Sequence, residues 1–251
     1  MYFKIRLADV VIGVNAQYEY LKEYCKKYTV EEETPEFTIQ LTMDDIRAEG
    51  KHMDINDVAG KLPYLETLAT LRKIADRMPL KNRFLMHGAV LSWKGNGLMF
   101  TAPSGTGKST HIDLWKKYLG EEVEIINGDK PILWVTEKET RVYGTPWAGK
   151  ERWETNKGVS LKGVCFLQRG SQNEIRRITP SEALPLLMRQ VYYTSDPQTA
   201  GKILELLDKM FVTVPFYVMK CNVSEDAVRC SFEAMTGEER AGNSNETGKR
   251  I

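Results

Sequence analysis

The chain has little excess charge of either sign and no long apolar run. Across 251 residues, 35 Lys and Arg face 34 Asp and Glu, which leaves a net charge of +1. Because positive and negative charges are so evenly balanced, we expect neither a nucleic acid nor a membrane surface as the partner. The longest apolar runs, at 163–167 and 211–219, fall far short of the roughly 18 residues of a membrane-spanning helix. Lys4, Arg6 and Asp9 interrupt the apolar N-terminal stretch, so we expect no secretory signal and a cytoplasmic protein.

Cysteine and histidine are scarce, and neither follows a metal-binding spacing. The cysteines are Cys25, Cys165, Cys221 and Cys230, without a C-x-x-C pair, and the histidines are His52, His87 and His111, without an H-E-x-x-H pair. Hydrolytic zinc chemistry and a disulfide framework are therefore not predicted. Cys165 lies inside an apolar run, which is typical of a buried, reduced thiol.

Apolar residues, 42% of the chain, recur with strand and helix periods and suffice for a sizeable core. Alternating or short apolar runs predict strands at residues 3–14, 37–42, 84–93, 98–101, 123–126, 132–136, 141–143, 161–167 and 212–219. Helical spacing predicts helices at residues 64–75, 112–119, 181–193, 198–210 and 225–235. Trp115 and Trp134 lie on such periodic faces, so we expect them in the core. Gly95-Asn96-Gly97 predicts a hairpin turn after the third of these strands. The chain is therefore expected to be α/β.

One segment, A-P-S-G-T-G-K-S-T at residues 102–110, combines small residues, a lysine and a hydroxyl in the order that binds a triphosphate. Glycines allow backbone amides to converge on phosphate oxygens, the lysine reaches the β- and γ-phosphates, and the following helix adds its positive dipole end. Ser109 is expected to bind Mg²⁺. Ala102 stands where the motif G-x-x-x-x-G-K-[ST] has its first glycine. The predicted ATP-binding residues are Ser104, Gly105, Thr106, Gly107, Lys108, Ser109 and Thr110.

This loop and three other segments together resemble a known kinase family. The other segments are His87-Gly88-Ala89, Asn127-Gly128-Asp129-Lys130-Pro131 and Gly144-Thr145-Pro146-Trp147. With the loop, they resemble the kinase domain of HPr serine kinase/phosphorylases and related HPr-kinase-like proteins, which share a phosphoenolpyruvate-carboxykinase-like nucleotide fold. The resemblance implies a mixed β-sheet with a P-loop nucleotide-binding core. It also implies a homo-oligomer, because HPr kinases assemble into oligomers.

The resemblance extends over about residues 84–235 and divides the chain into three parts. Residues 1–81 are expected to form an N-terminal α+β lead-in subdomain that does not resemble the separate N-terminal domain of full-length HPr kinases. Residues 82–235 are expected to form the HPr-kinase-like P-loop kinase domain. Residues 236–251, rich in Gly, Asn, Glu and Arg without an apolar period, predict a mobile tail.

The resemblance also implies roles for individual residues. In the family, the residue that matches His87 lies near the phosphates, and an acidic pair binds magnesium and handles the hydroxyl proton. Here Gly128 replaces the first acid, so Asp129 alone must coordinate Mg²⁺, act as base, or share one role with another carboxylate. We predict Lys108, Asp129 and His87 as catalytic residues, and Ser109 and Asp129 as the ligands of Mg²⁺.

Transfer of a phosphoryl group needs more positive charge than one lysine supplies. Lys150 and Arg152 follow the Gly-Thr-Pro-Trp turn, and Arg169 ends a predicted strand. Each is a candidate for this role, although exposed charge of this kind is more often a solvated surface.

We interpret the chain as an ATP-dependent, Mg²⁺-requiring kinase that acts on a hydroxyl. A serine of a protein or peptide, HPr-like or other, and a small hydroxyl metabolite both stay open as acceptors. A nucleotide-binding regulator with little transfer is a second hypothesis, because Gly128 replaces an acid. A Gly128→Asp variant that regained transfer would favour that hypothesis. A carboxykinase is a third choice, since the chain is short for one.

Overall fold

The fold is α/β, with mixed sheets, as predicted. In the computed structural model, the described residues are 1–52, 58–194 and 196–239, and within them the chain forms thirteen strands and seven α-helices. The strands are β1 (Tyr2–Leu7), β2 (Val10–Asn15), β3 (Thr29–Val30), β4 (Phe37–Gln40), β5 (Arg83–Leu85), β6 (Ala89–Trp93), β7 (Asn96–Thr101), β8 (Val123–Asn127), β9 (Ile132–Val135), β10 (Thr140–Tyr143), β11 (Gly158–Arg169), β12 (Glu174–Ile178) and β13 (Phe216–Cys221). The helices are α1 (Glu19–Tyr24), α2 (Met43–His52), α3 (Leu62–Arg77), α4 (Lys108–Leu119), α5 (Pro180–Leu187), α6 (Pro197–Thr213) and α7 (Glu225–Thr236).

The N-terminal part forms a four-stranded sheet in the order β3-β1-β2-β4. The β1–β2 hairpin turns at Ala8 and Asp9, both with positive φ, which suits the right-handed twist of its strands. Helices α1 and α2 pack on α3. The apolar face of this sheet shares a core with Leu85, Ile132 and Trp147 from the following part of the chain. The division at residue 81 stays a prediction.

The second sheet has nine strands and branches at the long strand β11. Its main path is β5-β9-β10-β11-β7-β6-β8. The first residues of β11 pair with β10 antiparallel, and its last six residues pair with β13 parallel. Strand β7 runs parallel to β11 along the opposite edge. Helix α4 packs on β6, β7, β8 and α7, so the loop before α4 lies at the carboxyl end of β7, in the middle of the sheet.

Two predicted boundaries around the β6–β7 hairpin were wrong. The single strand expected at 84–93 is two strands, β5 and β6, which pair with different neighbours, β9 and β7. His87 and Gly88 lie between them, outside any strand. A side chain at Gly88 would approach the Phe100 carbonyl oxygen to 3.1 Å. The hairpin turn is formed by Lys94 and Gly95, with φ of 48° and 81°, because a two-residue turn of this kind needs positive φ at both positions.

The predictions near the C-terminal strands also need correction. The strand predicted at 212–219 begins only at Phe216, because α6 continues through Thr213 and the helix ends ahead of Pro215. Strand β12 was missed, since its charged sequence E-I-R-R-I lacks an apolar run, and it pairs with β13 alone. The helix predicted at 181–193 spans only Pro180–Leu187.

Several side chains predicted in the core lie there. Trp115 and Cys165 are fully buried, and the four cysteines are free thiols. Trp134 is partly buried against the N-terminal core. Among the described residues, no helix has the length and apolar content needed to cross a membrane. Of the predicted mobile tail, Thr236 ends α7, and residues 240–251 lie outside the described residues.

Candidate active site

The glycine-rich segment is a loop between β7 and α4, in the strand, loop and helix order that its motif requires. Gly105 and Gly107 have φ of 78° and 121°, a region that other residues rarely adopt. Ala102 does not have positive φ, so its position needs no glycine. Gly107 is the N-cap of α4, and the unpaired amides of the first helical turn lie next to it.

Lys108 begins α4, and its side chain lies against the loop. Its ammonium group donates a hydrogen bond to the Ala102 carbonyl oxygen at 2.9 Å. Burial lowers the pKa of Lys108, the negative charge of Asp129 opposes that shift, and the positive charge of Lys130 adds to it. Burial is thus the main cause of the lowered pKa of Lys108, and the charges of Asp129 and Lys130 act in opposite directions.

The loop that carries Asp129 is shaped by Asn127, the last residue of β8 and a fully buried side chain. Its side-chain oxygen accepts hydrogen bonds from the backbone amides of Asp129 at 2.9 Å and Lys130 at 2.8 Å. Its amide group donates to the Thr145 carbonyl oxygen at 3.0 Å. Asn127 therefore forms an Asx turn and also joins this loop to the Gly-Thr-Pro-Trp turn.

The Asp129 carboxylate lies between two nitrogen groups. Its Oδ1 is 3.1 Å from His87 Nε2 and its Oδ2 is 2.6 Å from Lys130 Nζ. Burial raises the pKa of Asp129, but the hydrogen bond from His87 and the charge of Lys130 outweigh burial and lower it to about 2. The carboxylate is therefore ionised at neutral pH, a hydrogen-bond acceptor and a poor base.

The His87 ring is held on both nitrogens. Nε2 faces Asp129, and Nδ1 lies 3.1 Å from Gln190 Oε1. The backbone around the ring is held as well, because the His87 amide donates to the Gln190 carbonyl at 2.7 Å and the Gly88 amide to the Asp129 carbonyl at 2.8 Å. The Thr101 hydroxyl donates to the His87 carbonyl at 2.7 Å. Three distant segments thus fix the histidine against the carboxylate.

The missing acid at Gly128 has a steric cause. A Cβ built at Gly128 would lie 2.5 Å from the Ala148 carbonyl oxygen and 3.6 Å from Trp153 Cβ. Real Cβ atoms do not approach a backbone oxygen that closely, so any side chain at 128 requires the turn at Ala148 to move. The loop is therefore built around a single carboxylate, Asp129.

The three predicted cationic candidates lie in two places. Arg169 donates to the Gly105 carbonyl oxygen at 2.6 Å, so it lies beside the glycine loop. Lys150 and Arg152 lie in the segment after the Gly-Thr-Pro-Trp turn and share a cleft with Asp129. Both side chains are exposed, and within the described residues neither forms an ion pair.

Ser109 and Asp129 each carry an oxygen of the kind that Mg²⁺ prefers. Asp129 supplies an ionised carboxylate, and the Ser109 hydroxyl, in the first turn of α4, makes no hydrogen bond to any described residue. Mg²⁺ is usually held by one or two protein oxygens, with phosphates and water completing its shell. Their pairing at one magnesium ion stays a prediction.

Two clefts adjoin these groups. One, of about 400 Å³, which we call the loop cleft, is lined by Thr106, Gly107, Thr110, Arg169, Asn222 and Val223, among others. The other, of about 390 Å³, which we call the tyrosine cleft, is lined by Tyr20, Tyr24, Tyr64, Lys150 and Arg152 together with Asp129, Lys130 and Trp147, among others. The glycine loop thus borders one cleft and the Asp129 loop borders the other.

Sequence reasoning missed two members of this site. Lys130 was part of a quoted motif but was assigned no role, and Gln190 was not considered. The sequence Asn-Gly-Asp-Lys does offer a local signal for Lys130, because an Asx turn at the asparagine fixes the backbone of the residues that follow it. No local pattern marks Gln190, because it meets His87 only through the fold.

Comparisons with known proteins find a matching family model and distantly similar structures. The family model of the SynChlorMet cassette protein ScmC matches residues 55–227, more than half of the chain. No curated protein matches the sequence. Among solved structures, the Hpr(Ser) kinase/phosphatase from Coxiella burnetii is similar, with 12% identity and a TM-score of 0.32, over 61% of this chain and 93% of that chain.

Proposed function

The chain belongs to the family of the SynChlorMet cassette protein ScmC, and we propose that it is an ATP-dependent, Mg²⁺-requiring kinase with a P-loop core of the HPr kinase type. It transfers the γ-phosphoryl group of ATP to a hydroxyl acceptor. One arrangement carries the proposal: the glycine loop leads into Lys108 at the start of α4, and the Asp129 carboxylate is held by His87 and Lys130.

The phosphates bind at the glycine loop. Backbone amides beside Gly105 and Gly107 and the N-terminus of α4 supply donors to phosphate oxygens. Lys108 leaves the Ala102 carbonyl oxygen and pairs with the β- and γ-phosphates. The loop cleft takes the nucleoside end, because it borders the same loop and has about 400 Å³ of space.

The acceptor hydroxyl binds at Asp129. Its carboxylate accepts the hydrogen bond of that hydroxyl and directs the oxygen lone pair toward the γ-phosphorus. Phosphoryl transfer passes through a loose transition state that needs positioning and charge neutralisation more than a strong base. A carboxylate with a pKa of about 2 suits that role. Magnesium, when bound with the nucleotide, neutralises phosphate charge.

His87 and Lys130 keep this carboxylate ionised and in place. Lys130 also adds positive charge beside Lys108, where negative charge spreads over the transferring group. Neither residue needs to change its protonation state during transfer. Arg169, bonded to the Gly105 carbonyl, shapes the glycine loop on its other side.

The experiment is phosphoryl transfer from γ-labelled ATP with Mg²⁺ to a cell extract divided into protein and small-molecule fractions. Wild type is expected to label one fraction. Lys108→Ala should reduce transfer by about 100-fold or more, as expected for loss of a transition-state charge. Lys116→Ala, an exposed lysine of the same helix, is the matched control and should keep wild-type transfer.

Each outcome of that experiment has a meaning. Label in the protein fraction identifies a protein or peptide acceptor, and label in the small-molecule fraction identifies a metabolite. Tight ATP binding without transfer in either fraction would overturn the kinase assignment in favour of a nucleotide-binding regulator. Equal transfer by wild type and Lys108→Ala would overturn the assignment of the glycine loop.

A further inference from the structure

We propose that the tyrosine cleft is the acceptor site and that it selects hydroxyl compounds in which an anionic group is attached to a flat or apolar body. This inference rests on the proposed kinase function and adds the substrate class. It also assigns a role to the N-terminal part of the chain, which supplies the three tyrosines of the cleft.

The cleft opens onto the carboxylate that would receive the acceptor hydroxyl. Asp129 and Lys130 both line it. Gly149, with φ of 79°, brings the backbone so close that a Cβ built there would lie 3.3 Å from Asp129 Cβ. The turn at Gly149 therefore forms one side of the approach to Asp129 from the tyrosine cleft.

The cleft has an excess of positive charge. Its lining contains Lys130, Lys150 and Arg152 against one carboxylate, Asp129. Lys130 already pairs with Asp129, whereas Lys150 and Arg152 have no carboxylate partner within the described residues. Two unpaired cations at the entrance of an active-site cleft favour a ligand with negative charge of its own.

Arg152 lies over an aromatic ring of the cleft. The carbon of its guanidinium is 4.5 Å from the centroid of the Tyr24 ring, and its backbone has φ of 54°, which is rare for a residue other than glycine. A guanidinium can give two parallel hydrogen bonds to a carboxylate or a phosphate. Lys150 adds a point charge beside it.

The remaining wall is aromatic. The rings of Tyr20 and Tyr24 lie 6.1 Å apart, and Tyr24 lies 6.2 Å from Trp147. Tyr20 and Tyr64 are large side chains that stay exposed. Such a surface binds an aromatic or apolar body without a large loss of side-chain entropy. The charge and the rings together specify an acidic, partly apolar acceptor.

The N-terminal part is fastened to the active-site part near this wall. The buried Glu66 accepts hydrogen bonds from the amides of Gln17 and Tyr18, just before α1. One residue further on, the Thr67 carbonyl accepts a hydrogen bond from Trp147 Nε1 at 2.9 Å. Helix α1, which carries two of the tyrosines, is thereby fixed relative to the turn that carries Lys150 and Arg152.

The reaction in this cleft is balanced by ATP and the acceptor alone. The bond between the acceptor oxygen and the γ-phosphorus forms, and the bond from that phosphorus to the bridging oxygen breaks, with its electron pair leaving on ADP. The hydroxyl proton, which is hydrogen-bonded to Asp129, is released to water. The products are ADP, a phosphate monoester and a proton.

The experiment compares acids with their neutral amides. The small-molecule probes are 3-phenyllactate and 3-phenyllactamide, and the peptide probes are an acetylated dipeptide of phenylalanine and serine with a free carboxylate and its amide. Steady-state transfer is measured with wild type, Lys150→Gln and Lys150→Arg. A preference for the acid over its amide in the phenyllactate pair would indicate a free hydroxy acid as acceptor. The same preference in the dipeptide pair would indicate a peptide.

Wild type should use the better acid at least tenfold more efficiently, by kcat/KM, than its amide. Lys150→Gln should lose about tenfold in kcat/KM for the acid through KM, whereas its kcat/KM for the amide should stay within twofold of wild type. Lys150→Arg should recover most of the loss. No preference for either acid, or equal losses for acid and amide in Lys150→Gln, would overturn the proposal.

A binding measurement separates this proposal from the kinase function. Titration calorimetry of both acids and both amides with the Lys108→Ala protein, in the presence of ADP and Mg²⁺, does not require transfer. Binding of an acid that is at least tenfold tighter than that of its amide would support the acceptor cleft even if transfer failed. Absence of that difference would reject the cleft even if transfer to another acceptor were found.

Discussion

Acidification should weaken the fold through His111, a buried residue of the helix that follows the glycine loop. Burial lowers the pKa of His111 to about 4 from its ordinary value of 6.5. His111 Nε2 lies 3.2 Å from Trp115 Nε1 and 3.1 Å from Ser231 Oγ, and Trp115 Nε1 also donates to Ser231 Oγ at 3.0 Å. These neighbours are uncharged, so burial among them disfavours the protonated imidazole.

The sign and size follow from proton linkage. The unfolded chain binds this proton below pH 6.5 and the folded chain only below about 4. The contribution of neutral His111 to the free energy of unfolding is complete above pH 6.5 and is lost progressively as the pH falls to 4. Each pH unit in that window is worth about 1.4 kcal/mol, so the free energy of unfolding should fall by about 3 kcal/mol. The pKa of Asp129 is lowered to about 2. Its contribution to the free energy of unfolding is therefore lost only at a lower pH, below the usual pKa range of an aspartate.

Urea denaturation at a series of pH values between 8 and 4 and constant ionic strength measures this loss. His111→Gln keeps an acceptor for Trp115 but cannot titrate, so its free energy of unfolding should fall by about 3 kcal/mol less over the same window. If the variant is too unstable to measure, the imidazole of the wild type can be followed by NMR. Equal losses in both proteins, or a His111 imidazole that titrates near 6.5, would refute the reasoning.

Three further predictions concern the Asp129 loop. Asn127→Ala removes the acceptor of two backbone amides and the donor to Thr145, so it should cost about 3 kcal/mol in urea denaturation and lower kcat more than ATP affinity; unchanged kcat would contradict its positioning role. Asp129→Asn keeps the shape but not the charge, so transfer should fall by about 100-fold or more and its dependence on Mg²⁺ should weaken while ATP still binds; wild-type kinetics would exclude Asp129 from the site. Gly128→Asp should not gain transfer activity. Like Gly128→Ala, it should lower the free energy of unfolding by about 1 to 3 kcal/mol, because any Cβ at this position meets the Ala148 carbonyl oxygen. A gain in transfer would show that the turn at Ala148 can move and that transfer was limited by the lack of a second acid.

Local pattern predicted those parts of the fold that depend on neighbouring residues. The strand, loop and helix around Lys108 follow from an apolar run, a glycine loop and a helical period, which are all contained in about twenty residues. The same reasoning failed where a contact from elsewhere decides the outcome. β5 and β6 are separate strands because β5 pairs with β9 and β6 pairs with β7. β12 forms an edge strand, despite its charges, because β13 offers it a partner.

The candidate site divides in the same way. The phosphate-loop residues were predicted from the spacing of a motif, and Asp129 was predicted from the resemblance to a kinase family. Gln190 reaches His87 across 103 positions, and the tyrosines reach Asp129 through packing of the N-terminal part. Contacts between such distant positions leave no periodic pattern in a single sequence. The acceptor side was therefore the part that sequence reasoning left open.

The single acid of the loop has a different meaning once its surroundings are known. At the sequence level, Gly128 was the reason for a second hypothesis, a nucleotide-binding regulator with little transfer. In the folded chain, position 128 is closed by the Ala148 carbonyl, and Ala148 belongs to the same turn region that brings Lys150 and Arg152 to the tyrosine cleft. A side chain at 128 would displace the groups that we propose select the acceptor. Gly128 and the position of the cationic turn are thus linked by one close backbone approach, and in our proposal the positive charge of Lys130 beside Asp129 supports transfer.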